Sequence, residues 1–232
     1  MHILLTRPLE DCLKIIFKFQ SLGHQVSHLP LLTIEKMKHE KINFLNYGAI
    51  IFTSANSIKF LDSNKLDKNI MCFCVGDKTE KKARIAGFQN TIAAEGNVSN
   101  LKELILQNYD TKNKPLLYVS GEIISGDLVG QLLKEGYIIK RIINYRVIHN
   151  QKFDEHFIKE LKTNMPDVVY VYSQNSASSL LNFIKINQTE NIWMNTNLMC
   201  IGEKTSSILN EIKWKKIFLF NPGEEEFLLY KI

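Results

Sequence analysis

The chain predicts an α/β protein of parallel sheets arranged in two similar halves, and three observations carry that expectation. Short apolar runs alternate with amphipathic helical stretches along the whole length, the pattern that builds strand–helix–strand units. Many of the runs are β-branched or aromatic without a polar break, such as Ile50-Ile51-Phe52 and Val168-Val169-Tyr170-Val171, as strands covered on both faces should be. Two strand–turn–helix segments also recur in the same order.

Taken in order, the strands fall at 2–6, 25–30, 49–53, 71–75, 116–120, 137–147, 168–172, 198–201 and 217–220. The first helix, 9–22, places Leu9, Cys12, Leu13, Ile16, Phe17 and Phe19 at helical spacing and stops at Gly23, a residue suited to ending a helix. Further helices are expected at 57–61, 78–86, 98–106, 127–134, 153–161, 176–184 and 205–211. With five prolines and eleven glycines in 232 residues, no long linker is expected.

The echo pairs Ala49-Ile-Ile-Phe-Thr-Ser54-Ala-Asn56-Ser57 with Val168-Val-Tyr-Val-Tyr-Ser173-Gln-Asn175-Ser176, and Cys74-Val-Gly76-Asp-Lys78-Thr79 with Cys200-Ile-Gly202-Glu-Lys204-Thr205. Ser54 and Ser173 are 119 positions apart and Gly76 and Gly202 are 126 apart. Balancing the strands puts residues 1–33 and 149–232 in one discontinuous domain and 36–146 in the other. The chain then crosses near 31–37 and again near 144–150, both extended and able to pair as a short ladder.

Composition bounds the function. At 45% hydrophobic and 23% charged the chain is globular, not disordered or fibrous. A net charge of +5 suits an anionic small ligand. Nucleic acid is not expected, because no basic stripe forms: Lys78, Lys81, Lys82 and Arg84 flank Glu80 on what reads as a solvated helix face. No apolar run approaches the roughly 18 residues of a membrane span, and the opening MHILLTRP is too short for an export signal. Cys12, Cys72, Cys74 and Cys200 sit in apolar segments without metal-binding spacing and read as buried small hydrophobes in a reducing cytoplasm. The six histidines are scattered and form no metal motif.

Ligands of doubly wound sheets bind beyond the carboxyl ends of the strands. The residues expected there are Thr6-Arg7, Ser54-Ala55-Asn56, Gly76 with Lys78 and Thr79, Ser120-Gly121, Ser173-Gln174, and Gly202 with Lys204 and Thr205. Each opens a helix, where free backbone N–H groups favour carboxylate or phosphate, although the same residue types also cap helices for stability alone. Dinucleotide and P-loop glycine patterns and the nucleophile elbow are absent from the sequence. Tyr145 lies near the end of a predicted strand, where the chain leaves one domain for the other. A phenol there can donate a proton to a leaving oxygen or pack at a hinge.

These motifs resemble the uroporphyrinogen-III synthase family over nearly the whole chain. Leu4-Leu5-Thr6-Arg7-Pro8, Tyr47-Gly48-Ala-Ile-Ile-Phe-Thr-Ser54-Ala-Asn56, Cys74-Val-Gly76-Asp-Lys-Thr79, Asn144-Tyr145 and Cys200-Ile-Gly202-Glu-Lys-Thr205 each look like a family segment, in the family order. The resemblance implies two flavodoxin-like domains joined by a two-stranded β-ladder with a cleft between them. It implies a monomeric, cofactor-free and metal-free lyase of heme biosynthesis. That enzyme closes hydroxymethylbilane, an anionic linear tetrapyrrole handed over by an upstream deaminase, to uroporphyrinogen III with loss of water and inversion of the last ring through a spiro intermediate. Tyr145 would help the hydroxyl leave, and Ser54, Thr79, Ser173 and Thr205 would line the cleft. After Ser120-Gly121, where many relatives carry an arginine near the next helix start, this chain reads Ile123-Ile124-Ser125-Gly126-Asp127; Lys78, Lys204 and Arg7 are the candidates to supply the cation. The alternative is a non-catalytic two-domain protein that closes on a small anion.

Overall fold

The computed structural model describes residues 1–61, 67–221 and 223–225. The chain divides into two compact units, one formed by Met1–Thr33 with Ile148–Ile232 and the other by Ile34–Val147.

The discontinuous unit holds strands β1 (His2–Leu5) and β2 (Gln25–His28) around helix α1 (Leu9–Ser21). The chain then enters the contiguous unit. It runs β3 (Leu32–Lys36), β4 (Ala49–Phe52), α2 (Ala55–Lys59), β5 (Met71–Val75), α3 (Gly76–Ile85), β6 (Thr91–Ala94), α4 (Val98–Asn108), β7 (Leu116–Gly121), α5 (Leu128–Lys134) and β8 (Ile139–His149). The discontinuous unit resumes with α6 (Glu155–Thr163), β9 (Val168–Val171), α7 (Gln174–Ile186), β10 (Asn197–Cys200), α8 (Glu203–Ser206) and β11 (Ile217–Leu219).

The two sheets are ordered β11-β10-β9-β1-β2 and β3-β8-β7-β4-β5-β6. β1 pairs parallel with β2 and β9, and β4 pairs parallel with β5 and β7. β3 enters and β8 leaves the contiguous unit as hydrogen-bonded neighbours. The Met37 N–H donates to the Asn144 carbonyl at 2.9 Å and the Asn150 N–H to the Leu31 carbonyl at 2.9 Å.

The unbroken apolar strands follow from cores on both faces of each sheet. Ile50, Phe52, Cys72, Cys74, Leu117 and Val119 face one cluster with Ile58 of α2 and Ala83 of α3. Ala49, Ile51, Phe73, Leu116 and Tyr118 face the opposite cluster with Leu101 and Ile105 of α4 and Leu128 and Leu132 of α5. In the discontinuous unit Leu4, Val169, Val171, Leu198 and Cys200 pack under α6 and α7, while Ile3, Leu5, Val168, Tyr170 and Met199 pack against Cys12 and Phe19 of α1. This is the period-two alternation of a strand with two apolar sides.

Three local features depart from the sequence pattern. α1 buries Cys12 and Phe19, whereas Leu9, Leu13 and Phe17 are exposed, so its apolar residues occupy two stripes of which one meets the sheet. β6 has no clear sequence signal, since Thr91-Ile92-Ala93-Ala94 is short and half alanine. The helix expected at 205–211 is the four-residue α8 followed by the 3-10 turn Ser207–Leu209.

Candidate functional site

In parallel sheets the strand ends stand level, so the turns that follow β4, β5 and β7 share one edge of the contiguous unit. Phe52 is opposite Cys74 on one side and Val119 on the other. Ser54 caps α2, its hydroxyl oxygen accepting the Asn56 N–H at 3.2 Å, with Ala55 opening the helix. The Thr53 hydroxyl lies 2.9 Å from that of Tyr118, whose phenol burial pushes above its ordinary pKa. Gly76 turns the chain into α3 with φ of +72°, a conformation that favours glycine. Lys78 is then exposed in the first turn, and Thr79 is buried beneath it.

At the end of β7 the hydroxyl of the fully buried Ser120 donates to the Gly121 carbonyl at 3.0 Å. The β7/β8 register shifts between Ser120 and Gly121, which brings Tyr145 opposite Gly121. Tyr145 is 7% exposed, and its hydroxyl has no hydrogen-bond partner among the described residues. The unit therefore gathers Ser54, Ala55, Asn56, Gly76, Lys78, Thr79, Ser120, Gly121 and Tyr145 along the carboxyl edge of one sheet.

The discontinuous unit builds its edge from β1, β9 and β10. The Thr6 hydroxyl donates to the Tyr170 carbonyl at 2.6 Å, so it ties two strands together rather than facing outward. The Arg7 guanidinium lies 4.6 Å over the Tyr172 ring and 3.5 Å from the Asp11 carboxylate. The Arg7 carbonyl is 2.7 Å from His28 Nε2. Ser173 caps α7 by accepting the Ser176 N–H at 3.1 Å, with Gln174 exposed as the first helical residue. Gly202 repeats the turn of Gly76 with φ of +70°. Lys204 is exposed and Thr205 is buried, matching Lys78 and Thr79.

Two participants are not evident from the turn motifs. Arg141 donates from Nε to the Ser120 hydroxyl at 2.8 Å and from Nη2 to the Gly121 and Glu122 carbonyls at 2.7 and 2.8 Å. The only available signal is that Arg141 lies four residues before Tyr145 on one strand, since the register shift at Asn144 breaks the strand alternation between them. Tyr172 is the second. Burial pushes its phenol strongly upward, and its hydroxyl has no partner among the described residues.

The cysteines are inert by comparison. All four are buried and free, and burial pushes Cys12 up to about 11 and Cys74 and Cys200 up to about 12, with Cys72 raised as well. Thiols held so far above neutrality carry little thiolate. Among the described residues no group of three or more His, Cys, Asp or Glu could hold a metal ion, and no helix is long and apolar enough to cross a membrane. Each edge by itself offers hydroxyls, an exposed lysine, a helix N-terminus and a tyrosine, groups of the kind that suit anions.

Comparison with known proteins gives the chain a family. The family model described as uroporphyrinogen-III synthase HemD matches residues 14–219. A porphyrin biosynthesis protein HemD of Ruminiclostridium josui is 25% identical over 219 residues, which cover 88% of this chain and 42% of that protein. The chain thus spans under half the length of this curated relative. The fold is that of the uroporphyrinogen-III synthetase of Helicobacter pylori 26695, with a TM-score of 0.65 at 19% identity over 100% of this chain and 99% of that one. A mutant uroporphyrinogen III synthase of Thermus thermophilus gives a TM-score of 0.62 at 13% identity, covering 100% and 97%. The chain belongs to the uroporphyrinogen-III synthase family.

Proposed function

We propose that the chain is a uroporphyrinogen-III synthase, a cyclising lyase that converts hydroxymethylbilane to uroporphyrinogen III. The observation that carries this reading is the family match across residues 14–219. It is favoured over a non-catalytic anion-binding role because Tyr145 lies at the carboxyl edge with its hydroxyl unengaged among the described residues.

In this mechanism the substrate loses its terminal hydroxyl as water, and Tyr145 donates the proton that makes the hydroxyl a leaving group. The resulting cation is stabilised by its own pyrrole, so strong acid is not needed. The last ring attacks this cation from its substituted α-carbon to give a spiro intermediate. The bond from that carbon to its original bridging methylene then breaks, and the methylene cation so released is captured at the ring's other α-carbon, which loses its proton, so the ring closes inverted. The protein's main task is conformational: holding a flexible chain so that its two ends meet, an orientation effect that can supply about 7–11 kcal/mol.

The substrate carboxylates are met by Arg7, Lys78 and Lys204 and by the turns at Ser54-Ala55-Asn56, Gly76, Thr79, Ser120-Gly121, Ser173-Gln174, Gly202 and Thr205. The net charge of +5 attracts this polyanion. No cofactor or metal takes part. The enzyme acts as a cytoplasmic monomer and receives its substrate from the deaminase upstream. The test is to supply hydroxymethylbilane to the purified protein, oxidise the product and separate the porphyrin isomers. Type III is expected, and type I alone, the product of unassisted closure, overturns the reading.

A further inference from the structure

The carboxyl end of β7 is held by a side chain from the neighbouring strand. Arg141 of β8 spends its guanidinium on three consecutive residues: Nε on the Ser120 hydroxyl at 2.8 Å, and Nη2 on the carbonyls of Gly121 and Glu122 at 2.7 and 2.8 Å. Those carbonyls stand where the β7/β8 ladder shifts register, and the planar fork gives both of them a donor there.

The strapped turn is also the bed of Tyr145. A Cβ placed on Gly121 would lie 2.6 Å from Tyr145 Cζ and 2.9 Å from its hydroxyl oxygen, so the phenol rests directly on the bare α-carbon. The Glu122 N–H donates to the Tyr145 carbonyl at 2.9 Å. Ring and backbone of Tyr145 therefore both lean on residues 121 and 122, and Arg141 holds both of those residues.

We propose that Arg141 is a positioning residue for Tyr145, fixing through the Ser120–Glu122 turn where the phenol stands. The proposal rests on the reading of Tyr145 as proton donor. It assigns Arg141 no contact with substrate, so its loss should lower turnover and leave affinity in place. Misplacing a reacting group by about 1 Å can cost on the order of a hundredfold.

The experiment is a double-mutant cycle combined with a probe of the ring itself. Arg141→Gln should lower kcat about tenfold or more with KM near wild type, and should change kcat little in a Tyr145→Phe background, where no proton donor remains to be misplaced. Arg141→Lys keeps the charge without the fork, so it should fall between the two. If Arg141→Gln proves unfolded by circular dichroism, the lysine variant carries the cycle. In protein labelled with 3-fluorotyrosine, the ¹⁹F resonance lost in Tyr145→Phe identifies Tyr145, and it should shift in the Arg141 variants. An equal fall in kcat in both backgrounds, or an unmoved Tyr145 resonance, overturns the proposal. If the wild-type protein forms no type III isomer, the functional reading falls, and the resonance alone then decides whether Arg141 holds the ring.

Discussion

The two units share one spatial layout and differ in how the chain visits it. In space one sheet reads β11-β10-β9-β1-β2 and the other β6-β5-β4-β7-β8 before the added edge strand β3. The recurring motifs identify β9 with β4 and β10 with β5, which makes β1 the counterpart of β7 and β2 that of β8. The contiguous unit starts at the strand that comes third in the discontinuous one, so the units are circular permutations of one another. The comparison teaches which details the layout demands. Gly76 and Gly202 keep the same left-handed turn, Thr79 and Thr205 the same burial, and Ser54 and Ser173 the same capping role. The helices beyond the glycine turns are free to differ: α3 has ten residues and α8 four. The arginines differ too, since Arg7 reaches its position from its own strand end and stacks on Tyr172, whereas Arg141 comes from the next strand.

The units should first be separable in stability. Trp193→Ala in one and Phe73→Ala in the other remove wholly buried rings, at about 3–5 kcal/mol each. Hydrogen exchange should show the loss of protection concentrated in the unit that carries the change, and a uniform loss would mean the units melt as one.

The tyrosines at the two edges should separate in function. Tyr145→Phe is expected to lower the rate of type III formation by about a hundredfold or more, whereas Tyr172→Phe keeps the ring under Arg7 and should leave the rate near wild type. Equal losses would remove the distinction between the edges.

The paired turns should respond alike. Nothing lies within 4 Å of a Cβ added to Gly76 or Gly202, so alanine at either meets only the backbone strain of a positive φ, at about 1–3 kcal/mol, read from the urea midpoint. Replacing Ser54 or Ser173 by alanine should cost about 1 kcal/mol each. The larger loss is expected at Ser173, whose hydroxyl also lies 2.9 Å from that of Ser176.

The smallest effect has no counterpart in α8. Hydrogen bonding to Arg84, aided by Thr91, holds the Glu80 carboxyl below its ordinary value of 4.5. A lowered folded-state value stabilises the protein above the ordinary value, and this contribution fades as pH falls below it. Glu80→Gln should therefore lower stability by under about 1 kcal/mol at pH 7 and by progressively less in acid, as measured by urea titrations across that range.

Much of this architecture was legible in the residues, because strands covered on both sides must be apolar throughout and their turns must carry hydroxyls or glycine. The runs at β4, β5, β9 and β10 and the residues that end them declare themselves in this way. β6 did not, since a short strand with two alanines carries almost no pattern. In α1 the exposed Leu9, Leu13 and Phe17 are as apolar as the buried Cys12 and Phe19, so composition overstated the buried face. Within the candidate site, Ser54, Ser173 and the Gly-x-x-Thr turns follow from local backbone needs. Arg141 does not, because its partners lie about twenty positions earlier and depend on a register shift between strands. Thr6 shows the converse: its position at a strand end suggested an outward role, and its hydroxyl instead joins β1 to β9.

The permuted connectivity also orders events during synthesis. β1 is an inner strand of its sheet, between β2 and β9, yet β9 begins only at Val168. As the chain emerges from the ribosome, residues 34–147 can close their own core while residues 1–33 still wait, with β1 unpaired on one side, for the segment that completes them.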